Sequence, residues 1–129
     1  MRELNDEVEE LAYRVIGAAI EVHRVLGPGF LESVYQEALE IEFPMRGIRC
    51  QPQKPVAVTD KGFQVGEGKL DFLVGDTLIV EFKAVENLAP IHEAQVISYF
   101  KMTNHPLALL INFNVPVLKE GIKRIISSS

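Results

Sequence analysis

Asp71, Glu81 and Lys83 are the residues of this chain whose types and spacing can do chemistry. They lie in two apolar runs, Leu70–Val74 and Leu78–Ala84, each carrying one acid, and a lysine follows two places after the second acid. Side chains alternate along a strand, so Glu81 and Lys83 share a face with Thr77 and Ile79, while Val80 and Phe82 point the other way. Two carboxylates and an ammonium in a half-buried sheet are costly unless paired, and a divalent cation with hard oxygen ligands would pair them. Mg²⁺ or Mn²⁺ suits such a set. Bound there, the ion would polarise a phosphoryl oxygen and acidify a coordinated water, with Lys83 orienting that water or neutralising developing charge. The plainer alternative is a set of cross-strand ion pairs on a solvated face.

The turn decides whether Asp71 can join Glu81. A two-residue Gly75-Asp76 loop would set Asp71 opposite Val80, on the wrong face. A three-residue loop, Val74–Asp76, pairs Asp71 with Ile79 and makes Glu81 its diagonal neighbour, roughly 7–8 Å away at the backbone. Convergence therefore predicts an odd-length turn or a bulge in this hairpin.

Other polar residues lie at useful spacing. Gln95 and Tyr99 are four apart and project from one helix face, where an amide and a phenol could reach a strand-borne acid or a phosphate. Glu32 falls in the first turn of a helix, where the dipole favours an anion, and Tyr35 shares its face. His23 lies on an apolar helical stripe and reads as a satisfied core histidine rather than a ligand.

The elements that must position these residues follow from periodicity. Asp6 followed by Glu9 can form a capping box, and Leu4, Val8, Leu11, Ala12, Val15, Ala19, Val22 and Leu26 recur at helical spacing up to Gly27-Pro28-Gly29. A second helix starts near Phe30, with Leu31, Val34, Tyr35, Ala38 and Leu39 inward, and Pro44 should stop or kink it before Gly47. From Ile48 the period becomes two. Val56–Thr59, the turn Asp60–Gly62, Phe63–Val65, Leu70–Val74 and Leu78–Ala84 read as antiparallel strands of a meander. Pro90 can open a third helix running to about Thr103, and Leu107–Phe113 reads as a central strand buried on both faces. Lys119–Ile126 fits a short last strand or helix. The order is helix, helix, strands, helix, strand, with no repeat, linker or domain boundary.

A length of 129 residues, 47% of them apolar, fits residues 1–129 as one domain with one core. Looseness is expected at the ends, chiefly Ser127–Ser129. No apolar run approaches the roughly 20 residues of a membrane helix, and Met1–Glu10 is too acidic for a signal peptide, which predicts a cytoplasmic protein without membrane contact. The lone Cys50 excludes an internal disulfide and a cysteine-rich zinc site and reads as a strand-edge thiol. A net charge of −5 argues against wide nonspecific contact with nucleic-acid phosphate. Most of the excess acid is in Met1–Glu42. Lys101 and Lys119–Arg124 offer one modest positive patch or a solvated face.

Together these residues resemble the PD-(D/E)XK nuclease superfamily, with an acid on one strand, Glu-x-Lys on the next and a flanking helix. Asp71, Glu81 and Lys83 match that pattern, and Gln95-Val-Ile-Ser-Tyr99 resembles the Gln-x-x-x-Tyr motif of its RecB-like branch. Gly29-Phe-Leu-Glu32-Ser-Val-Tyr35 is similar to the signature of the GxxExxY family, a likeness that extends through His23–Gly29, His92–Gln95 and Leu110–Asn114. The resemblance implies an α/β, restriction-endonuclease-like core, a mixed central sheet flanked by helices. It also implies Asp71 and Glu81 as metal ligands with Glu32 as a further acid, Lys83 as the catalytic lysine, and Gln95, Tyr99 and Tyr35 shaping the site or contacting substrate. Phe43-Pro44 departs from relatives that continue the helix with charged residues. The activity so implied is metal-dependent hydrolysis of DNA or RNA. The competing reading is a catalytically idle module of the same fold that binds a protein partner or nucleic acid. So small a fold has little surface to hold a duplex, and a homodimer or protein partner would supply the basic groove.

Overall fold

Apolar residues at helical spacing form α1 (Asp6–Leu26) in the computed structural model of the protein, which describes residues 4–128. Val8, Ala12, Val15, Ala19 and Val22 are buried along it. Its cap is Asn5, whose side chain accepts from the Val8 N–H at 2.9 Å, so the expected Asp6/Glu9 box is not used. Asp6 is already helical, and a capping side chain must hang from the extended residue just before. Gly27, at φ +70°, ends the helix.

The second helix, α2 (Glu32–Met45), begins two residues later than expected, because Gly29 and the extended Leu31 form the corner. Leu31 is exposed, not inward. Pro44 lies inside α2, and the helix runs one residue past it, since a proline so near the end costs only one backbone bond. Next come β1 (Cys50–Asp60), β2 (Phe63–Val74), β3 (Leu78–Lys83), α3 (Pro90–Met102) and β4 (Leu107–Asn112). A single 3-10 turn at Leu118–Gly121 then leads into β5 (Ile122–Ile126), which resolves the open reading of that segment. The expected strands Phe63–Val65 and Leu70–Val74 are one strand, continuous through Gly66-Glu67-Gly68. Ser127, expected in a loose tail, is buried with its N–H bonded to Pro106 O, and Ser129 lies outside the described residues.

The five strands stand in the order β1-β2-β3-β4-β5. All neighbours are antiparallel except β3 and β4, which α3 connects and which run parallel. This is the mixed sheet expected, with β4 buried along its whole length. One apolar cluster joins α1 and α2 to the sheet through Phe72, Val74, Leu78, Val80, Phe82, Leu109 and Ile111. The other joins α3 to the opposite face through Leu70, Leu73, Ile79, Ala108 and Leu110.

Strand alternation breaks at one level. Leu70 and Phe72 are two residues apart yet enter opposite clusters, so β2 turns over at Asp71. On β1 the residue level with Asp71 is Gln53, which is missing from the ladder and has φ +51°. The inner and outer halves of the β1–β2 hairpin thus present different faces to α3.

The β2–β3 turn has the odd length that convergence requires, but its register differs from expectation. Val74 pairs Leu78, leaving Gly75, Asp76 and Thr77 as the loop, with Gly75 and Asp76 both at positive φ. Continued from Phe72↔Val80, this register sets Asp71 level with Glu81 instead of Ile79.

Candidate active site

The β2–β3 ladder ends at Phe72↔Val80, and side chains take over where it stops. The Asp71 N–H donates to Glu81 Oε1 at 3.0 Å, and the Phe82 N–H donates to Asp71 Oδ2 at 2.8 Å. Each acid thus occupies a backbone group that the turned-over strand can no longer satisfy. Held in this way across one step of the ladder, the two carboxyls are close enough for each to shift the titration of the other.

Such contact between acids requires a proton or a cation. Glu81 is 3% exposed, and its carboxyl is pushed up to about 8, first by burial and then by the charge of Asp71. Asp71 is also raised by burial, against the opposing pull of the Phe82 N–H, Glu81, Lys83 and Lys69. At neutral pH the pair therefore keeps a proton on Glu81. Cross-strand ion pairs on a solvated face are not what forms: Glu81 is buried, and neither acid is in an ion pair among the described residues.

Lys83, half-buried at the end of β3, donates from Nζ to Gln95 Oε1 on α3 at 3.2 Å. One turn further along, the Tyr99 hydroxyl donates to Lys69 O on β2 at 3.0 Å. Burial pushes the Tyr99 phenol up, and the charges of Glu81 and Asp71 act in the same direction, so it remains a neutral donor. The ring lies against Gly68, where an added Cβ would come within 2.8 Å of Tyr99 Cε1. The start of α3 is fixed by His92, whose Nδ1 accepts from the Ala89 N–H at 2.9 Å.

Glu32 lies elsewhere around the pair. It is exposed in the first turn of α2 and lines a cleft of about 380 Å³ with Ser33, Gln36 and Asp71. Among the described residues, no three or more His, Cys, Asp or Glu side chains gather as a metal site, so Glu32 shares a cleft with Asp71 without completing a ligand set. Tyr35 is a correction. It is 0% exposed and stacked on Phe113 at 4.4 Å, and its hydroxyl donates to Gly27 O at 2.6 Å and accepts from the Phe30 N–H. It holds the Gly-Pro-Gly corner and cannot touch substrate. His23 is the satisfied core residue expected, with Nε2 2.8 Å from Val115 O.

Two contributors had no assigned role. Asn112, buried at the end of β4, accepts the Val85 N–H at 3.1 Å and donates to Val85 O at 2.9 Å. Beside it the Phe113 N–H donates to Lys83 O at 2.9 Å, so this end of β4 fixes the segment that carries the lysine. An amide at the end of an otherwise apolar strand was the available signal. Gln36 donates to Asp71 O at 3.2 Å, and nothing in its sequence context marks it.

The expected positive patch is half neutralised, since Lys123 pairs with Glu93 and Arg124 with Glu9, while Lys101 and Lys119 are in no ion pair among the described residues. Among the described residues, no helix is long and apolar enough to cross a membrane.

The family profile described as the PD-(D/E)XK nuclease superfamily matches residues 9–125, a span that includes all of the sheet but the last residue of β5 and nearly all of α1. The chain belongs to the PD-(D/E)XK nuclease superfamily. Its fold is also similar to that of an alkaline exonuclease from Laribacter hongkongensis, with a TM-score of 0.53 at 14% identity, covering 99% of this chain and 73% of that one. No curated protein matches significantly. Nucleases of this superfamily generally use divalent metals. The break in the β2–β3 ladder brings one acid from each strand together, within the influence of the Lys83 charge.

Proposed function

We propose that this PD-(D/E)XK superfamily member, of the GxxExxY type, is a divalent-metal-dependent nuclease that hydrolyses phosphodiester bonds of DNA or RNA. The observation that carries the reading is the meeting of Asp71 and Glu81 at the end of the ladder, where each carboxyl accepts a backbone N–H from the strand that carries the other. The donor set fits Mg²⁺ or Mn²⁺. Two oxygen acids held together by a shared proton offer a place that a dication would fill in its stead, and Mg²⁺ commonly uses one or two carboxylates with waters and substrate phosphates completing its shell. A third protein acid is therefore not required.

When bound, the metal supplies Lewis acidity toward a phosphoryl oxygen and an acidified water. Asp71 and Glu81 hold it, each with one oxygen fixed by the opposite strand's backbone N–H. Lys83, held by Gln95, faces the reacting phosphate and neutralises charge that develops on it. Tyr99 keeps the adjoining stretch of β2 in place through Lys69 O. The test compares cleavage of single- and double-stranded DNA and RNA, with Mg²⁺ or Mn²⁺, by the wild type, Lys83→Ala and Asp71→Ala. Equal activity in all three would remove the reading.

A second reading, an idle module that binds a protein partner or nucleic acid, has one observation in its favour. The cleft beside Asp71 is lined by Glu32, Glu37 and Glu40, which repel a phosphate chain unless cations or a partner's basic surface intervene. Light scattering with a salt titration of binding separates the two. Tight, steeply salt-dependent binding by the chain alone counts against a purely interaction role.

A further inference from the structure

The outer half of the β1–β2 hairpin stands clear of both apolar clusters. Val56 and Leu70 are its last members of the α3 cluster, and Ala57–Asp60 and Phe63–Glu67 are exposed apart from the half-buried Val58. A two-stranded ribbon wet on both faces is marginal in water, and polar residues would normally cover it. This one carries Phe63 and Val65, 76% and 65% exposed. The positive φ of Lys61 and Gly62 fits the right-handed twist of a tight hairpin and fixes the tip.

Register decides which way the aromatic faces. Val56 pairs Gly68, Val58 pairs Gly66 and Asp60 pairs Phe63, while the shift between Val58 and Thr59 leaves Val65 as the extra residue of a bulge. Phe63 therefore shares the ribbon face of Val56, which packs toward α3, and of Gly68, against which Tyr99 lies. Between the tip and Tyr99 that face is bare backbone at Gly66, where an added Cβ would meet nothing within 4 Å. The track ends at Tyr99, Gln95 and Lys83.

Two cations lie along the same line: Lys54, level with Leu70, shares the face of Val56, and Lys61 is at the tip, whereas Lys69, level with Pro55, is on the opposite face. Arg24, Arg46, Arg49, Lys123 and Arg124 each hold an acid, whereas Lys54, Lys61 and Lys69, like Arg14, Lys83, Lys101 and Lys119 elsewhere, are in no ion pair among the described residues. Lys69 is near enough to Asp71 for its charge to favour that carboxylate. At the β1 edge of the sheet, Pro52 and Pro55 lack the N–H groups that a strand added from a second copy would need.

We propose that the β1–β2 arm grips single-stranded nucleic acid, with Phe63 stacking on a base and Lys54 and Lys61 meeting phosphates along a track that leads to Lys83. The occupant is single-stranded because an aromatic face needs unpaired bases, and two lysines are too few to hold a duplex by charge. The inference rests on the nuclease reading and names its substrate class.

Binding of a fluorescein-labelled single strand of about a dozen nucleotides, and of the same length as duplex, is measured with Ca²⁺ in a Lys83→Ala background. Phe63→Ala there should weaken single-strand binding about tenfold, and Phe63→Trp should restore it. Lys54→Ala and Lys61→Ala together should remove a salt slope of about 1.4, and Lys69→Ala should leave it nearly unchanged. The proposal is overturned if Phe63→Ala binds as tightly as its parent, if duplex is preferred, if no binding occurs, or if Phe63→Ala turns a dimer into a monomer in light scattering. Cleavage assayed in parallel separates the two ideas. Asp71-dependent cleavage with unchanged Phe63→Ala binding sinks the arm alone, whereas Phe63-dependent binding without cleavage sinks the nuclease alone.

Discussion

Glu81→Gln tests the physics of the acid pair apart from any substrate. The folded protein holds the Glu81 carboxyl at about 8 against an ordinary 4.5. Between those values the unfolded chain has released the proton and the folded chain keeps it, so the metal-free protein loses stability as pH rises through the interval. At about 1.4 kcal/mol per pH unit, the loss is roughly 5 kcal/mol by the alkaline end, and the raised carboxyl of Asp71 adds to it with the same sign. Gln in place of Glu81 stays neutral at every pH, while its amide can still accept from the Asp71 N–H and donate to the Asp71 carboxylate. Urea unfolding followed by far-UV circular dichroism in EDTA should show the wild type weakening steeply between about pH 5 and 8, and the variant staying far flatter and the more stable of the two at about pH 8.5. Adding Mg²⁺ should restore the wild type at alkaline pH and leave the variant unmoved, because a ligand that binds only the native state stabilises it. Parallel pH profiles for the two proteins in EDTA would refute the shared proton, and with it the case for a cation in its place.

Other positions test the supporting structure. Asn112→Ala strands the N–H and C=O of Val85, costing roughly 2–4 kcal/mol, and should lower kcat more than it raises KM through displacement of Lys83; urea unfolding and steady-state cleavage report both. Gly68→Ala pushes the Tyr99 ring off β2 and breaks its bond to Lys69 O, a loss of about 1 kcal/mol in thermal unfolding with a larger fall in cleavage. Tyr35→Phe leaves Gly27 O without its donor and should cost about 1–3 kcal/mol while KM for nucleic acid stays put, whereas a raised KM at unchanged stability would return Tyr35 to the substrate surface.

Much was legible in the sequence because it is local. Periods of 3.6 and 2 located three helices and the strands, Pro90 marked the start of α3, and an all-apolar approach to Asn112 marked the buried strand. Errors arose where a local rule met a longer-range one. Asn5, not Asp6, caps α1 because helix geometry fixes which residue is the last extended one. Gly66 and Gly68 read as a break between strands, but they sit in an unbroken ladder because β1 supplies the partners. Tyr35 looked available beside Glu32, yet one side of α2 faces the cleft and the other the aromatic core around Phe113.

By itself the sequence determined which residue types could meet: an acid in one strand, Glu-x-Lys in the next, and an amide and a phenol one helical turn apart. It also required an odd loop if the acids were to converge, since alternation alone sets parity. Tertiary structure decided the rest. Val74 stays paired with Leu78, which brings Asp71 level with Glu81, and β2 turns over there, so that Leu70 joins the α3 cluster while Phe72, two residues on, joins that of α1 and α2. That turnover leaves backbone groups for the carboxyls to satisfy, and it forces two acids into buried contact. No local pattern contains it, because it arises from competition between the two faces of the sheet.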